Sequence, residues 1–368
     1  MNREFVLGAI ANLMGWSDEE SRREFAWLRL MSRMKYDDYQ EFLAGSRFIE
    51  SLADWLQQFP AERRAQAYGF IRSKLVFFSE AELRHLVALL YSETIEPNLL
   101  TRTSELTATP RYETWSNQAA ATTFRSLLRK TIFVELSDGA RIDIFRRVNE
   151  GRISNEQVIT APRINQAKWD DMLKDLRSDL DDDQARFAYV VLVDDFTGSG
   201  ASLIRYEDGA WKGKLQRFLE DVTTGYVSDT HFEPDWRLIV HHYVATAQAV
   251  ESVVERNAAR REDTDAGAWF KSVQFTWGMQ LPADFKLTPE SVPEFAKLAE
   301  EFYDDSIETR HMKVGGNDGR WGFGSCGLPL IMEHNTPNNS IALLWAETDG
   351  EKDQHAMRPL FRRRQRHL

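Results

Sequence analysis

Residues 189–202 read Tyr189, Val190, Val191, Leu192, Val193, Asp194, Asp195, Phe196, Thr197, Gly198, Ser199, Gly200, Ala201, Ser202. Five successive apolar or aromatic residues fit a strand buried on both faces, as parallel strands of α/β sheets are. Two carboxylates and a small, hydroxyl-rich turn follow, so the strand delivers them to the C-terminal edge, where such sheets bind ligands. Adjacent side chains on a regular strand point to opposite faces, so Asp194 and Asp195 serve one ligand together only where the chain breaks into a loop. Phe196 and the small residues after it predict that break.

Ionised carboxylates in that position can accept hydrogen bonds from the vicinal hydroxyls of a ribose. They can also help to hold a hydrated magnesium ion, an indirect metal role for Asp194 and Asp195. Beyond them, Thr197, Gly198, Ser199, Gly200, Ala201 and Ser202 offer backbone amides and three hydroxyls that can wrap a phosphate at the start of the next helix. One segment can thus grip both ends of a 5-phosphoribosyl group. A Walker B strand also ends in acids, but it needs an upstream Gly-x-x-x-x-Gly-Lys-Ser/Thr, and the chain has none; Gly213 and Lys214 lie downstream and lead into Leu215. The plainer alternative is an acidic strand end with a turn that binds nothing.

The 368 residues can bury one large core or two smaller ones, and 42% hydrophobic with 12% aromatic content argues against extended disorder. A formal charge of −11 disfavours a general nucleic-acid surface. Cys326, the single cysteine, excludes an intramolecular disulfide and any multi-cysteine zinc site, which fits a reducing cytoplasm. The apolar run Phe5 to Trp16 leads into Ser17, Asp18, Glu19 and Glu20 rather than a cleavage site, and reads as a helix. No segment is long and apolar enough to span a bilayer.

Up to about Asn98 the pattern is helical: Phe48, Ile49, Leu52, Trp55, Leu56 and Phe59 share a face, Pro60 opens a helix, and Ser79 with Glu82 forms a capping box. A Thr- and Ser-rich linker is expected over Thr101 to Thr109. The domains expected are therefore a helical N-terminal domain (1–105), an α/β domain (106–357) and a basic tail (358–368). In the α/β part, strand Thr131 to Leu136 ends in Ser137, Asp138, Gly139 and Ala140 before a helix-like stretch with Arg141, Arg146 and Arg147. Glycine admits close backbone approach and guanidinium forks bind phosphate oxygens, so this strand end suits pyrophosphate; a plain turn with solvated arginines is the alternative. An acidic helix-like stretch follows (Asp170 to Asp179), then strands near Leu238 to Val244 and Val273 to Trp277, with a helix from Ala247 to Arg256 between them. Gly315, Gly316, Gly319, Gly322 and Gly324 predict a flexible region before Leu328 to Met332. That strand delivers Glu333, His334, Asn335, Thr336, Pro337, Asn338 and Asn339, either to recognise a base edge or as a turn with local bonding.

The segment Asp194 to Ser202 resembles the phosphoribosyl diphosphate (PRPP) loop of type I phosphoribosyltransferases. Asp194 and Asp195 match the ribose-binding acids, and Ser199, Gly200, Ala201 and Ser202 match the phosphate cradle, with Ala201 where a second glycine is usual. The strand ending at Ser137 takes the place of the pyrophosphate loop. Residues 148–188 take that of a mobile flap, from which Arg163 and Lys168 could reach pyrophosphate. Taken with His334 to Asn339 ahead of Leu343, Leu344 and Trp345, the motifs resemble the PRTase-CE group of bacterial conflict systems over about residues 105–360. The resemblance implies an α/β fold with a mostly parallel phosphoribosyltransferase-like sheet and flanking helices, preceded by the helical domain, and an effector role in anti-phage defence.

The activity expected is magnesium-assisted phosphoribosyl transfer or N-glycosidic cleavage. In it Asp194 and Asp195 hold the ribose, Arg141, Arg146 or Arg147 stabilises the leaving group, and His334 moves a proton. Two alternatives stay open: a nucleotide or PRPP sensor without turnover, and a nucleic-acid-associated component of a defence complex. The latter would act through the helical domain or the tail, with Arg358, Arg362, Arg363, Arg364, Arg366 and His367.

Overall fold

The computed structural model describes residues 3–42, 47–160, 164–223, 227–309, 312, 314–316, 318–350 and 355–363. In chain order, helices α1 (Arg3–Met14), α2 (Asp18–Met34), α3 (Phe48–Gln57) and α4 (Ala61–Lys74) precede strand β1 (Val76–Phe78), α5 (Glu80–Leu89) and α6 (Glu96–Thr107). The α/β part follows: α7 (Gln118–Arg129), β2 (Thr131–Glu135), α8 (Ile142–Val148), β3 (Val158–Ile159), α9 (Gln166–Leu180) and β4 (Phe187–Thr197). After β4 come the hairpin β5 (Arg205–Glu207) and β6 (Ala210–Lys212), α10 (Lys214–Thr223), α11 (Val227–Thr230), β7 (Phe232–Thr246), α12 (Ala247–Glu262) and β8 (Val273–Leu281). Helix α13 (Pro293–Glu301) and strand β9 (Leu330–Met332) close the order.

Two compact units result. One joins Met1–Glu82 to Pro282–Leu368, and the other is Leu83–Leu281. In the first, Leu52, Trp55, Leu56 and Phe59 are buried as their helical spacing requires, and the Ser79 amide and hydroxyl both donate to Glu82 at the start of α5. The strand at Leu330–Met332 lies outside the main sheet: it pairs in parallel with β1, Val76 opposite Leu330 and Phe78 opposite Met332. The linker expected over Thr101–Thr109 is helical through Thr107, because α6 continues from Pro97 and closes only at Ala108, which takes a left-handed conformation. Gly322, expected in a flexible region, is pressed on backbone: at φ +75° a Cβ would lie 2.4 Å from the Asn339 carbonyl oxygen.

The second unit is built on a five-stranded, all-parallel sheet of order β3-β2-β4-β7-β8. Alternation along β4 divides its side chains between two cores. Val190 and Leu192 join Ile132, Val134, Leu238 and Val240 against Trp169, Met172 and Leu176 of α9 and Leu215 and Phe218 of α10. On the opposite face Phe133 meets Phe145 of α8, ring centroids 4.8 Å apart. The acidic stretch compared with a mobile flap is therefore α9, a packed crossover helix whose buried side anchors it to the sheet. From β2 the chain steps outward to β3 on one side, and from β4 it steps to β7 and β8 on the other. The direction of winding reverses between β2 and β4, which places a crevice at their C-terminal ends.

Candidate functional site

At that reversal the two loops singled out in the sequence meet. Glu135 of β2 registers with Val193 of β4, and the Leu136 amide donates to the Val193 carbonyl at 2.8 Å, so Ser137 and Asp194 emerge side by side. The Ser137 hydroxyl donates to Asp194 Oδ1, joining the Ser137–Arg141 loop to the acids at the end of β4.

The break expected at Phe196 does not occur there. Strand β4 stays extended to Thr197 because β7 is long enough to pair with it throughout, Asp194 opposite His242 and Thr197 opposite Ala245. The two carboxylates therefore point to opposite faces. Asp194 is 2% exposed and accepts from Ser137 on one oxygen and from Lys214 Nζ on the other. Asp195 is half-buried, and its Oδ1 accepts the Phe196 amide at 2.8 Å. Its face carries Tyr243, whose hydroxyl donates to the Ala140 carbonyl at 2.7 Å. Burial, with the Asp195 and Asp194 charges added, pushes that phenol well above its ordinary pKa and keeps it a donor.

Residues 198–204 form a closed turn. Gly198 accepts from Thr246 Oγ1 at 2.6 Å, the same hydroxyl that caps α12 by accepting the Ala249 amide. Arg256 of α12 donates to the carbonyls of Ser199 at 3.1 Å and Ile204 at 3.3 Å. Gly200 is required here: its φ is +70°, and a Cβ would lie 2.6 Å from a Val253 methyl. Among the described residues the amides of Ser199, Gly200 and Ser202 donate to no backbone carbonyl, the kind of donor an anion-binding turn presents, although Ser199 and Gly200 are buried. The helix expected to follow directly is displaced by the β5–β6 hairpin. It begins at Lys214, and its first amides go to the carbonyls of Ser202 and Leu203 at 3.0 and 3.1 Å. Thr197 is buried with its hydroxyl unbonded; Ala201 is half-buried and Ser202 exposed.

On the other loop, Asp138 to Ala140 make one tight helical turn, Asp138 exposed and Gly139 half-buried. Arg141 then takes φ +49° and opens α8. Arg146 and Arg147 lie in the last turn of that helix, and Arg147 is exposed and paired with Asp143 at 3.0 Å. Burial, then Asp138, Asp143 and Asp194, raise the pKa of Glu135, a mark of crowded carboxylates. Among the described residues no group of three or more His, Cys, Asp or Glu could hold a metal ion directly. The oxygen donors that crowd here are nonetheless the kind Mg²⁺ prefers, and their charge calls for a cation wherever a phosphate is to bind.

Sequence reasoning missed His242, Arg256 and Lys214. His242 is 1% exposed, with neither ring nitrogen hydrogen-bonded and Nε2 3.9 Å from Asp194 Oδ2. Burial lowers its pKa to about 4 against the opposing pull of Asp194, so the ring is neutral. The alternation of β7 from Leu238 would have placed it on the face of Asp194.

His334 and the asparagines after it belong to the first unit, where much of their polar chemistry is spent inside the fold. Thr336 Oγ1 lies 3.1 Å from the Tyr39 hydroxyl and donates to the Phe361 carbonyl, and Asn339 Nδ2 donates to the Phe323 carbonyl at 2.9 Å. Asn338 accepts the Phe323 amide through its carbonyl, Asn335 exchanges backbone bonds with Met332, and His334 Nδ1 is 3.3 Å from Glu333. Lys168 is exposed in the first turn of α9. Arg163, Arg364, Arg366 and His367 lie outside the described residues; Arg362 pairs with Glu347 at 2.6 Å. A hollow of about 610 Å³ lined by Asp170, Lys174, Arg177 and Asp181 to Asp183 sits where α9 turns into β4, at the opposite edge of the sheet from the loops.

No helix among the described residues is long and apolar enough to cross a membrane. No curated protein and no solved structure matches the chain. One family model does, PRTase-CE, over residues 52–363, which takes in most of both units.

Proposed function

The chain belongs to the PRTase-CE family and is phosphoribosyltransferase-like, and from that premise we propose that it binds the 5-phosphoribosyl group of PRPP or a nucleotide at the junction of β2 and β4. The observation that carries this reading is the meeting of the two loops, Ser137 bonded to Asp194, at the point where the sheet reverses its winding. The amides of Ser199, Gly200 and Ser202 would take the 5-phosphate. Asp195 would accept the ribose hydroxyls while Asp194, on the opposite face, holds Ser137 and Lys214, and Arg141 would face the departing group, its loop fixed by Tyr243. Mg²⁺ would be held through water beside the two aspartates and would offset charge on the leaving pyrophosphate.

The chemistry is displacement at the anomeric carbon. The bond from C1 to pyrophosphate oxygen or to a base nitrogen breaks with its electron pair leaving, and an acceptor nitrogen or water bonds to C1. The acids and the anion-binding turn contribute by positioning the sugar and by opposing the positive charge that spreads over its ring. We further propose an effector role in anti-phage defence, which rests on the family's occurrence in bacterial conflict systems. Binding without turnover is the second reading, favoured by the two engaged oxygens of Asp194; absence of product from the wild type, with affinity spared in Arg141→Ala, would support it.

Isothermal titration with PRPP, ribose 5-phosphate and nucleoside monophosphates, with and without Mg²⁺, tests the proposal. Magnesium-dependent binding lost in Asp194→Asn/Asp195→Asn is expected. No heat with any of these ligands would refute it.

A further inference from the structure

We propose that Lys214 is the anion-binding cation of this site, held by Asp194 at rest and transferred to a phosphate oxygen when ligand arrives. The inference rests on the phosphoribosyl reading above and names the residue that meets the ligand's negative charge. Three observations carry it.

First, Lys214 Nζ is bonded to Asp194, the acid that also accepts from Ser137, so the ammonium sits where both loops converge. Second, its position is fixed by backbone. The Lys214 amide donates to the Ser202 carbonyl at 3.0 Å, and Gly213 lies so close to Leu203 that a Cβ would be 2.4 Å from that carbonyl oxygen. The cation therefore moves with the rim of the phosphate-binding turn. Third, the other cations bonded to that turn are committed: Arg256 to the carbonyls of Ser199 and Ile204, and Arg205 to the Ala201 carbonyl and Glu207. Lys214 alone of these three is held by an acid of the site.

Exchange of partners leaves neither charge stranded. Lysine is a point charge on a flexible stem and can swing to a phosphate oxygen without loss of its backbone anchor. Asp194 keeps the Ser137 hydroxyl and the Asp195 amide on Oδ1, and His242 Nε2 stands 3.9 Å from the Oδ2 that the ammonium leaves. Because Asp194 competes with the ligand for Lys214, neutralising the acid should improve capture of a simple anion, which a purely structural ion pair would not do.

The test is titration of inorganic pyrophosphate into wild type, Asp194→Asn, Asp194→Asn/Lys214→Met and Asp194→Asn/Lys214→Arg, with thermal melts confirming that each is folded. Asp194→Asn is expected to bind pyrophosphate about tenfold tighter than wild type, the Met double variant to lose that gain and the Arg double variant to keep part of it. Replacing both members of the pair leaves no unpaired buried charge, so the Met double variant is the one designed to fold; Lys214→Gln serves in its place if it does not. Equal affinity of Asp194→Asn and its Met double variant, or no binding by either, overturns the role of Lys214. Failure of wild type to bind PRPP in parallel would instead sink the phosphoribosyl reading, and the pyrophosphate comparison separates the two.

Discussion

Gly200→Ala is the substitution whose cost the structure fixes most closely. The position has φ +70°, where an L-residue pays about 1–2 kcal/mol. The new methyl would lie 2.6 Å from Val253 Cγ2 and 3.3 Å from the Ala249 carbonyl oxygen, and valine is stiff about χ1, so relief requires α12 to shift. Overpacking of that kind costs about 1–3 kcal/mol, which gives about 2–5 kcal/mol in all. Gly209→Ala isolates the conformational part, since Gly209 has φ +76° with nothing within 4 Å of the added Cβ. Urea unfolding followed by tryptophan fluorescence should then show Gly200→Ala less stable than Gly209→Ala by about 1–3 kcal/mol. Val253→Ala opens the space the methyl needs. Combined with Gly200→Ala it should be less damaging than the sum of the two by about 1 kcal/mol or more. Equal stabilities for the two alanine variants, or strict additivity with Val253→Ala, would refute the close approach of turn and helix.

Tyr243→Phe removes the donor to the Ala140 carbonyl and should cost about 1 kcal/mol in urea unfolding while weakening ligands that touch residues 138–140; unchanged stability would place no weight on that bond. His241 and His242 are held neutral by burial, their pKa values pushed down to about 3 and about 4 against ~6.5 in an unfolded chain. The unfolded chain takes up protons from about pH 6.5 down to about 4 that the folded chain refuses, so stability falls as pH falls through that window. His242→Asn should flatten the decline measured by melting at successive pH values, and an unaltered slope would remove His242 from the account.

The parallel sheet was legible because β4 and β2 are apolar runs that end in acids and small residues, a pattern that one sequence window contains whole. The opposed directions of Asp194 and Asp195 were not, because where a strand stops is decided by the length of its neighbour. Strand β7 runs to Thr246 and carries β4 with it to Thr197. Lys214 was visible only as a failed phosphate-loop motif. The helical spacing of Leu215, Phe218 and Val222 behind it would have marked it as the first residue of a helix packed on the sheet. The partner of β9 was beyond reading, since three apolar residues specify a buried strand and say nothing about which strand they join. Thr336 and Asn339 gave a composition suited to either ligand or turn, and only their bonds to Phe361 and Phe323 reveal how far the fold itself uses them.

The parallel pairing of Val76–Phe78 with Leu330–Met332 bears on how the chain is made. During synthesis from the N-terminus, every residue of Leu83–Leu281 has emerged before the strand that β1 awaits exists. The enclosed unit can therefore complete its sheet while the helices ahead of it still lack their closing segment. Their apolar faces stay uncovered longest, which makes the nascent N-terminal helices the part of the chain most dependent on protection from aggregation.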